Sequence, residues 1–197
     1  MCIRDRRQAE EAFQALLKAY PKEAAGHAHL NLARVYEKEG RLTEAVKELD
    51  EARKAGAPWW TVAWFNGLVN LQTASDRQGF DAAIANFRGI LDPDKQPSER
   101  GFDFTKDYFV INKLADALYI RAQQEGNNPA QRDPFLLQAI EQYERTLSLD
   151  RENLDAHYGL RQCFRLLGVR MPKVNLPDKP AGTDETALQE LARTLLD

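Results

Sequence analysis

Few side chains in this sequence have the types and spacing that catalysis or metal binding requires. Its 197 residues include three histidines and two cysteines. His27 and His29 are two residues apart, so a helix would point them to different faces and make a shared metal site unfavourable. The acidic segments 92–94 and 150–152 lack the Asp/Asn ladder and the glycine of a calcium loop. We therefore predict no metal and no other cofactor.

Motifs of catalysis are missing as well. The sequence contains no Gly-x-x-x-x-Gly-Lys, no Gly-x-Ser-x-Gly and no His-Glu-x-x-His. Its cysteines form neither a Cys-x-x-Cys nor a Cys-x-x-Cys-His pair. Cys163 is predicted to fill the core between Leu160 and Phe164, and His157 is predicted to pack where an aromatic residue would. The sequence therefore predicts a protein that is not an enzyme.

Composition narrows the possible partners. The chain is 43% hydrophobic and 29% charged, with a net charge of −3. Such balanced charge gives no electrostatic footprint for nucleic acid, and no apolar run approaches the roughly 18 residues of a membrane span. The basic residues Arg4, Arg6 and Arg7 are interpreted as solvated. Residues 1–6 are predicted to be an artefactual or disordered start, and the sequence leaves the oligomeric state open.

Two spaced patterns predict the elements that would position any site. An alanine followed four residues later by a large apolar residue recurs at Ala9/Phe13, Ala45/Leu49, Ala83/Phe87 and Ala139/Tyr143. A second pattern precedes the last three of these pairs and occurs once more after them. Its copies are His29-x2-Leu32-Ala33-x2-Tyr36, Ala63-x2-Asn66-Gly67-x2-Asn70, Ile111-x2-Leu114-Ala115-x2-Leu118 and His157-x2-Leu160-Arg161-x2-Phe164. The small residues allow two antiparallel helices to approach closely, while the large ones fill the remaining space.

Together the two patterns resemble the tetratricopeptide repeat, whose signature is W-x2-L-G-x2-Y, then A-x3-F, then P. The resemblance implies an all-α fold, a right-handed superhelical solenoid of antiparallel helix pairs with about three to four full repeats and partial terminal ones. Its predicted divisions are a partial repeat 7–22, repeats 26–58, 59–93 and 107–152, a partial repeat 154–168, a linker 169–183 and a short amphipathic helix 184–197. Insertions are predicted at 92–106 and 125–132.

The predicted helices follow this register. They run from about Arg7 to Ala19, Glu23 to Glu39, Leu42 to Ala55, Trp60 to Thr73, Phe80 to Leu91, Thr105 to Gln124, Pro134 to Leu149 and Leu154 to Leu167. Asp133 is predicted to cap the seventh helix, with Pro134 at its first position. The amphipathic segment 184–196 either caps the solenoid or belongs to something beyond it.

The two insertions depart from the repeat pattern, and loops added to a solenoid lie on its surface and often carry binding residues. Phe102 and Phe104 in the first are predicted to fold back onto neighbouring helices as an anchor; the alternative is a lid that contacts a partner. The second insertion, 125–132, is predicted to be an exposed flexible loop between two helices of one repeat.

The resemblance implies a non-catalytic scaffold that binds a peptide or protein segment in a concave groove. The family's groove positions fall on Asn31, Arg34, Lys38, Trp64, Leu68, Asn112, Asp116, Tyr119, Tyr158, Gln162 and Arg165. The amides of Asn31 and Asn112 would bond a peptide backbone, and the aromatic residues would act as anchors. The family's carboxylate clamp is not reproduced, because Asn112 and Asp116 stand where Lys and Asn are needed.

A narrower resemblance supplies an alternative. The segments TVAWFNGLVNLQ and GFDFTKDYFVINKLADALYIRA are similar to repeat regions of large bacterial secreted proteins that also carry multihaem cytochrome domains. This likeness implies a structural or docking arm of a larger, truncated protein whose missing domain carries the activity. It would place the protein in the periplasm or outside the cell, whereas the chain as given is cytoplasmic by default.

Overall fold

In the computed structural model, which describes residues 3–97 and 101–168, all regular structure is helical. The eight α-helices are α1 (Ile3–Ala19), α2 (Ala25–Glu39), α3 (Leu42–Lys54), α4 (Trp59–Thr73), α5 (Arg77–Leu91), α6 (Tyr108–Gln123), α7 (Pro129–Leu149) and α8 (Leu154–Leu166). Among the described residues between α5 and α6 lie two 3-10 turns, Pro93–Lys95 and Phe104–Lys106. The prediction of an all-α fold is confirmed. The predicted linker 169–183 and helix 184–197 lie outside the described residues.

Local sequence fixes several of the helix ends. The side chain of Asp76 accepts a hydrogen bond from the Gly79 amide at the start of α5, and Asn153 accepts one from Ala156 at the start of α8. Each caps an N–H group that has no partner within its helix. At the C-terminal end of α2, Gly40 adopts a left-handed φ of 74°, a conformation that glycine reaches without a steric penalty.

The helices associate as hairpins that stack in chain order. The most extensive packing joins α2 to α3, α4 to α5 and α6 to α7. Successive hairpins then meet through α3 against α4 and α5 against α6, with α1 on α2 at one end and α7 on α8 at the other. Each element therefore packs mainly on its neighbours in sequence, which is the arrangement of a helical-repeat solenoid.

Small residues permit the close approach of these helices. A Cβ placed on Gly67 of α4 would lie 2.6 Å from the ring of Phe87 in α5. One placed on Gly159 of α8 would lie 2.1 Å from the ring of Tyr143 in α7. Of the four alanines of the recurring motif, Ala45, Ala83 and Ala139 are fully buried, whereas Ala9 is partly buried. The predicted contacts between small and large residues are thus present in the structure.

The apolar core has two parts that meet at α4. One is built from α2, α3 and two valines of α4, Val62 and Val69. The other is built from α5 to α8 and includes Phe104 of the segment between α5 and α6. Trp64 and Leu71, elsewhere on α4, pack against this second part. Consequently α4 presents separate surfaces to both cores.

The first insertion folds back onto the array. Phe104 is buried, with its ring centroid 6.2 Å from that of Trp60. The Gln96 side chain holds the segment in place, because its Nε2 donates to the carbonyls of Ile90 and Asp92 and its Oε1 accepts from the Phe104 amide at 2.8 Å. The anchor interpretation is confirmed for Phe104, whereas the neighbouring Phe102 ring remains half exposed.

The second insertion differs from its prediction. Helix α7 begins at Pro129 rather than Pro134, so Asn128 takes the N-cap position and Pro134 lies inside the helix. The remaining turn is short, and its Glu125 is buried instead of exposed. The Arg121 guanidinium and the Glu125 carboxylate form an ion pair there. That ion pair holds the turn against α6. Because residues 129–132 are helical, the loop predicted over 125–132 is confined to residues 124–128. Residues 126–131 are exposed, as predicted.

The start of the chain also differs from its prediction. Helix α1 begins at Ile3, so residues 3–6 are not a disordered extension of the array. The Arg6 side chain donates a 2.7 Å hydrogen bond to the carbonyl oxygen of Lys38. That carbonyl lies in the last turn of α2, where the helix dipole favours a positive charge.

Glu10 makes the attachment of α1 to α2 dependent on pH. The Glu10 carboxylate accepts hydrogen bonds from Arg41 Nη1 at 2.8 Å and from the Tyr36 hydroxyl at 2.9 Å. The Arg41 guanidinium in particular holds the pKa of Glu10 below its ordinary value of 4.5. A carboxyl whose pKa is lowered by folding stabilises the protein above the unfolded pKa, and this contribution disappears as the pH falls through the folded pKa.

We therefore expect Glu10→Gln to lower the free energy of unfolding at pH 7 by about 1 kcal/mol, as for a charged hydrogen bond at a partly exposed site. The loss should shrink as the pH is lowered below 4.5. Urea unfolding at pH 7 and at successive acidic pH values measures both effects. Glu11→Gln is the matched control, because within the described residues Glu11 pairs only with Arg7, and 65% of its side chain is exposed. Equal pH dependence of the two variants would contradict the assignment.

Candidate functional site

The predicted groove residues of α2 and α4 come together in one cavity. It measures about 680 Å³ and lies between α1, α2 and α4. Its lining includes all five residues predicted there, namely Asn31, Arg34, Lys38, Trp64 and Leu68. The structure adds Arg6, Ala9 and Phe13 from α1. The sequence did not place these α1 residues in the groove, since it assigned α1 to the second helix of a partial repeat.

A second cavity lies where the first insertion separates α4 from α6. Helix α2 packs directly on α4, and α6 packs directly on α8. Between α4 and α6, such direct packing is at most marginal. The resulting cavity measures about 330 Å³, and its lining includes Trp60, Trp64, Phe104 and Phe109. Phe109 was missed by the sequence analysis. Its spacing, three residues before the predicted Asn112 on the same helix, could have identified it.

A third cavity of about 230 Å³ lies between α6, α7 and α8. Five of the remaining predicted residues line it: Asn112, Asp116, Tyr119, Tyr158 and Gln162. Lys113 and Phe109 also contribute. The last predicted residue, Arg165, is exposed on α8 and lines none of these three cavities.

The three cavities adjoin one another. Arg34, Trp64 and Phe65 line both the first and the second cavity. Phe109 lines both the second and the third. We refer to the three together as the groove. It extends along α2, α4 and α6, the first helices of the three hairpins, and continues to α8.

The two amides predicted to bond a peptide backbone already have partners. Asn31 donates to the His27 carbonyl at 2.8 Å and accepts from Arg34 at 3.1 Å. Asn112 is buried; it donates to Asn153 Oδ1 at 3.0 Å, and its own oxygen accepts from the Thr146 hydroxyl at 2.7 Å. The predicted backbone-binding role of Asn112 is therefore corrected, since its side chain ties α6 to α7 and to the start of α8.

Charge is distributed unevenly along the groove. Arg6, Arg34 and Lys38 line the end formed by α1 and α2. The Arg34 guanidinium lies 5.7 Å from the centroid of the Phe65 ring, and none of the ion pairs in the described part of the chain involves it. Lys38 is 3.1 Å from the Glu37 carboxylate. Arg34 is thus an exposed cation without an ion-pair partner among the described residues, while the partly buried Arg6 donates to the Lys38 carbonyl and is in none of those ion pairs either.

The opposite end carries acidic residues. Asp116 and Asp155 line the third cavity beside Lys113. Asp116 is partly committed to the fold, because it accepts from the Tyr143 hydroxyl at 2.8 Å and pairs with Lys113 at 2.7 Å. A ligand that spans the groove would therefore meet positive charge at α2 and a more acidic surface at α6 and α8.

Aromatic side chains provide the exposed apolar surface. Phe109 and Tyr158 are each 65% exposed. The Phe109 ring stacks on Tyr108 at a centroid distance of 4.6 Å. Trp64 has a different role, since it packs edge-on against the buried Phe87 ring at 5.7 Å and leaves only part of its surface to the groove. Phe109 and Tyr158 are thus the freest aromatic groups for contact with a ligand.

The potential metal ligands of the described residues do not form a cluster. No set of three His, Cys, Asp or Glu side chains there could hold a metal ion. Cys163 is fully buried, as predicted, and burial raises the pKa of its thiol to about 12, so the reactive thiolate is disfavoured. His157 is exposed rather than packed, and its Nε2 lies 2.8 Å from the Arg151 carbonyl oxygen. The prediction that His157 packs in the core is therefore wrong.

Stacked hairpins with a groove along their first helices define an α-solenoid, a class of protein that presents extended binding surfaces. A family model described as Tetratricopeptide repeat matches residues 3–58. This match supports the resemblance to tetratricopeptide repeats that the sequence predicted, over residues 3–58.

Repeats of this family generally mediate contacts between proteins, and the fold is typically a non-enzymatic scaffold. Comparisons with curated proteins and with solved structures returned no match. The likeness to multihaem cytochrome proteins therefore stays a prediction. Among the residues that the structure describes, no helix has the length and apolarity needed to cross a membrane.

Proposed function

We propose that the protein is a scaffold whose groove binds an extended segment of another protein. The observation that carries this proposal is the continuity of the three cavities, which adjoin through Arg34, Trp64 and Phe65 on one side and through Phe109 on the other. A groove that crosses four helices accommodates an extended chain better than a compact small molecule, which is usually enclosed in a single pocket.

The groove also indicates the chemistry of the segment. Exposed aromatic residues at its middle and far end favour large apolar side chains, because aromatic groups dominate binding energy at interfaces. The uncompensated Arg34 favours an acidic residue at the α2 end, where guanidinium and carboxylate would form a charge-assisted pair. The favoured ligand is therefore a segment with an acidic residue followed or preceded by bulky apolar ones.

Selection of the full chain against a displayed library of random peptides tests this proposal. We expect enriched peptides to combine acidic and bulky apolar residues. The affinity of these peptides for the protein should fall at least tenfold, which corresponds to about 1.4 kcal/mol, when Phe109 is replaced by alanine. The separate variant Arg34→Ala should show a loss of the same size. Both side chains are exposed, so neither replacement opens the core.

Tyr20→Ala is the matched control, because Tyr20 is 56% exposed and lies outside the three cavities. It should leave affinity unchanged. Failure to enrich any peptide would contradict the proposal, as would peptides that bind the Phe109 and Arg34 variants as well as the parent.

A further inference from the structure

Helix α8 has one buried face and one incompletely covered face. Ala156, Gly159 and Cys163 are buried, and Gly159 lies directly against the Tyr143 ring of α7. On the other face, Leu160 and Phe164 are only partly buried. The described part of α8 is therefore packed against the preceding hairpin alone.

Comparison with the other hairpins shows what is missing on that face. Leu160 and Phe164 correspond in the repeat pattern to Leu32 and Tyr36 of α2 and to Leu114 and Leu118 of α6. Those four side chains are between 1% and 5% exposed. Their helices each pack extensively on the second helix of the same hairpin, α3 or α7. The incompletely covered face of α8 is thus the face on which a second helix packs elsewhere in the array.

We propose that residues 184–196 form this second helix and dock on Leu160 and Phe164 of the same chain. The segment contains Ala187, Leu191 and Thr194 at the spacing of Ala139, Tyr143 and Thr146 in α7. The three α7 residues are at most 2% exposed, and they face α6 and its neighbours. The same pattern in 184–196 predicts an apolar face of the same kind.

Charge supports this occupant over an unrelated apolar partner. Arg161 and Arg165 are exposed on α8, while the segment carries Asp184, Glu185, Glu190 and one arginine. Arg161 stands at the position that holds Ala33 in α2 and Ala115 in α6, so a helix cannot approach α8 there as closely as in the other hairpins. An acidic residue opposite Arg161 would offset that larger separation with an ion pair.

The connection is long enough for the segment to reach α8. Helix α8 has 13 residues and is about 20 Å long at 1.5 Å per residue. The 15 residues of 169–183 can extend to about 50 Å. Tethering also gives the segment a high effective concentration at α8, so a modest contact area suffices for docking.

Disulfide trapping in the full chain tests the register of this contact. Asn112 and Thr146 hydrogen-bond across the α6–α7 hairpin, and their equivalents in the last repeat are Tyr158 and Thr194. We expect the pair Tyr158→Cys and Thr194→Cys, in a Cys2→Ser background, to form a disulfide within one chain under mild oxidation. The control pair, Tyr158→Cys with Arg193→Cys, should form it at least tenfold more slowly, because Arg193 is adjacent in sequence and would point away from α8.

Thermal unfolding provides a second measurement that does not depend on the introduced cysteines. Leu191→Asp should lower the melting temperature by several degrees, since about 1 kcal/mol corresponds to 2–4 °C in a chain of this size. Arg193→Asp should not. Equal disulfide rates for the two pairs, together with equal melting temperatures, would overturn the proposal. Disulfides that form only between chains would overturn it as well, and would assign the face to a second copy.

Discussion

Replacing Tyr143 by alanine is expected to reduce the free energy of unfolding by about 3–5 kcal/mol, the range for deletion of a large buried aromatic side chain. Tyr143 is 2% exposed, and its ring fills the space left by Gly159 of α8. Its hydroxyl donates to Asp116 of α6. The side chain therefore joins three helices, and no neighbouring residue can fill its volume without movement of α8. Urea unfolding followed by circular dichroism measures the change.

Two variants separate packing from hydrogen bonding in this result. Tyr143→Phe keeps the ring and loses only the bond to Asp116, so it should cost about 1 kcal/mol. Tyr20→Ala removes the same side chain from an exposed position and should change stability by less than about 0.5 kcal/mol. A loss below 1 kcal/mol for Tyr143→Ala would be incompatible with the packing of α6, α7 and α8 described above.

The second large effect is expected at Arg121. Its guanidinium pairs with the Glu125 carboxylate and with Asp81 at 2.8 Å, and it lies 4.5 Å from the centroid of the Phe135 ring. The Glu125 side chain is only 3% exposed, so Arg121→Met would leave a buried charge whose remaining ion-pair partner among the described residues is Arg77 at 2.8 Å. We expect a loss of about 3 kcal/mol, the lower part of the range for a broken buried pair.

A second substitution identifies the origin of that loss. If the unpaired Glu125 charge is responsible, then Arg121→Met combined with Glu125→Gln should be more stable than Arg121→Met alone. Arg53→Met is the surface control, because 62% of the Arg53 side chain is exposed in its pair with Asp50. If the double variant were no more stable than the single one, the loss would come from the packing of the Arg121 stem instead.

The hairpins were predictable because their contacts repeat at fixed spacing. Ala45, Phe87 and Tyr143 are buried where the pattern placed them, and spacing alone determines which face of a helix they occupy. The start of α7 was not predictable in this way. Asn128-Pro129 and Asp133-Pro134 carry the same signal for a helix start, and the choice between them accompanies the ion pair at Glu125, whose partners include Arg77 from a different hairpin.

The groove, too, was predictable where it follows the repeat register and unpredictable where it depends on other contacts. Positions on α2 and α4 could be assigned to a shared face from the repeat register, and Arg34 and Trp64 line the same cavity. The separation of α4 from α6 could not be predicted from the repeat register, because it depends on how Phe104 folds back from an insertion that the repeat pattern does not include. Nor could the burial of Asn112, which follows from hydrogen bonds to residues 34 and 41 positions away in the chain.

The position of α4 between two cores has a consequence for cooperativity. In a stack of repeats, stability is approximately a sum of each unit and its contacts with the next, so the weakest junction limits how far unfolding spreads. Val62 and Val69 bind α4 to one core while Trp64 packs against the other. We expect local unfolding that begins in α1 to stop at α4. Helices α6 to α8 would then stay folded, and the third cavity, which they line, could still bind a ligand.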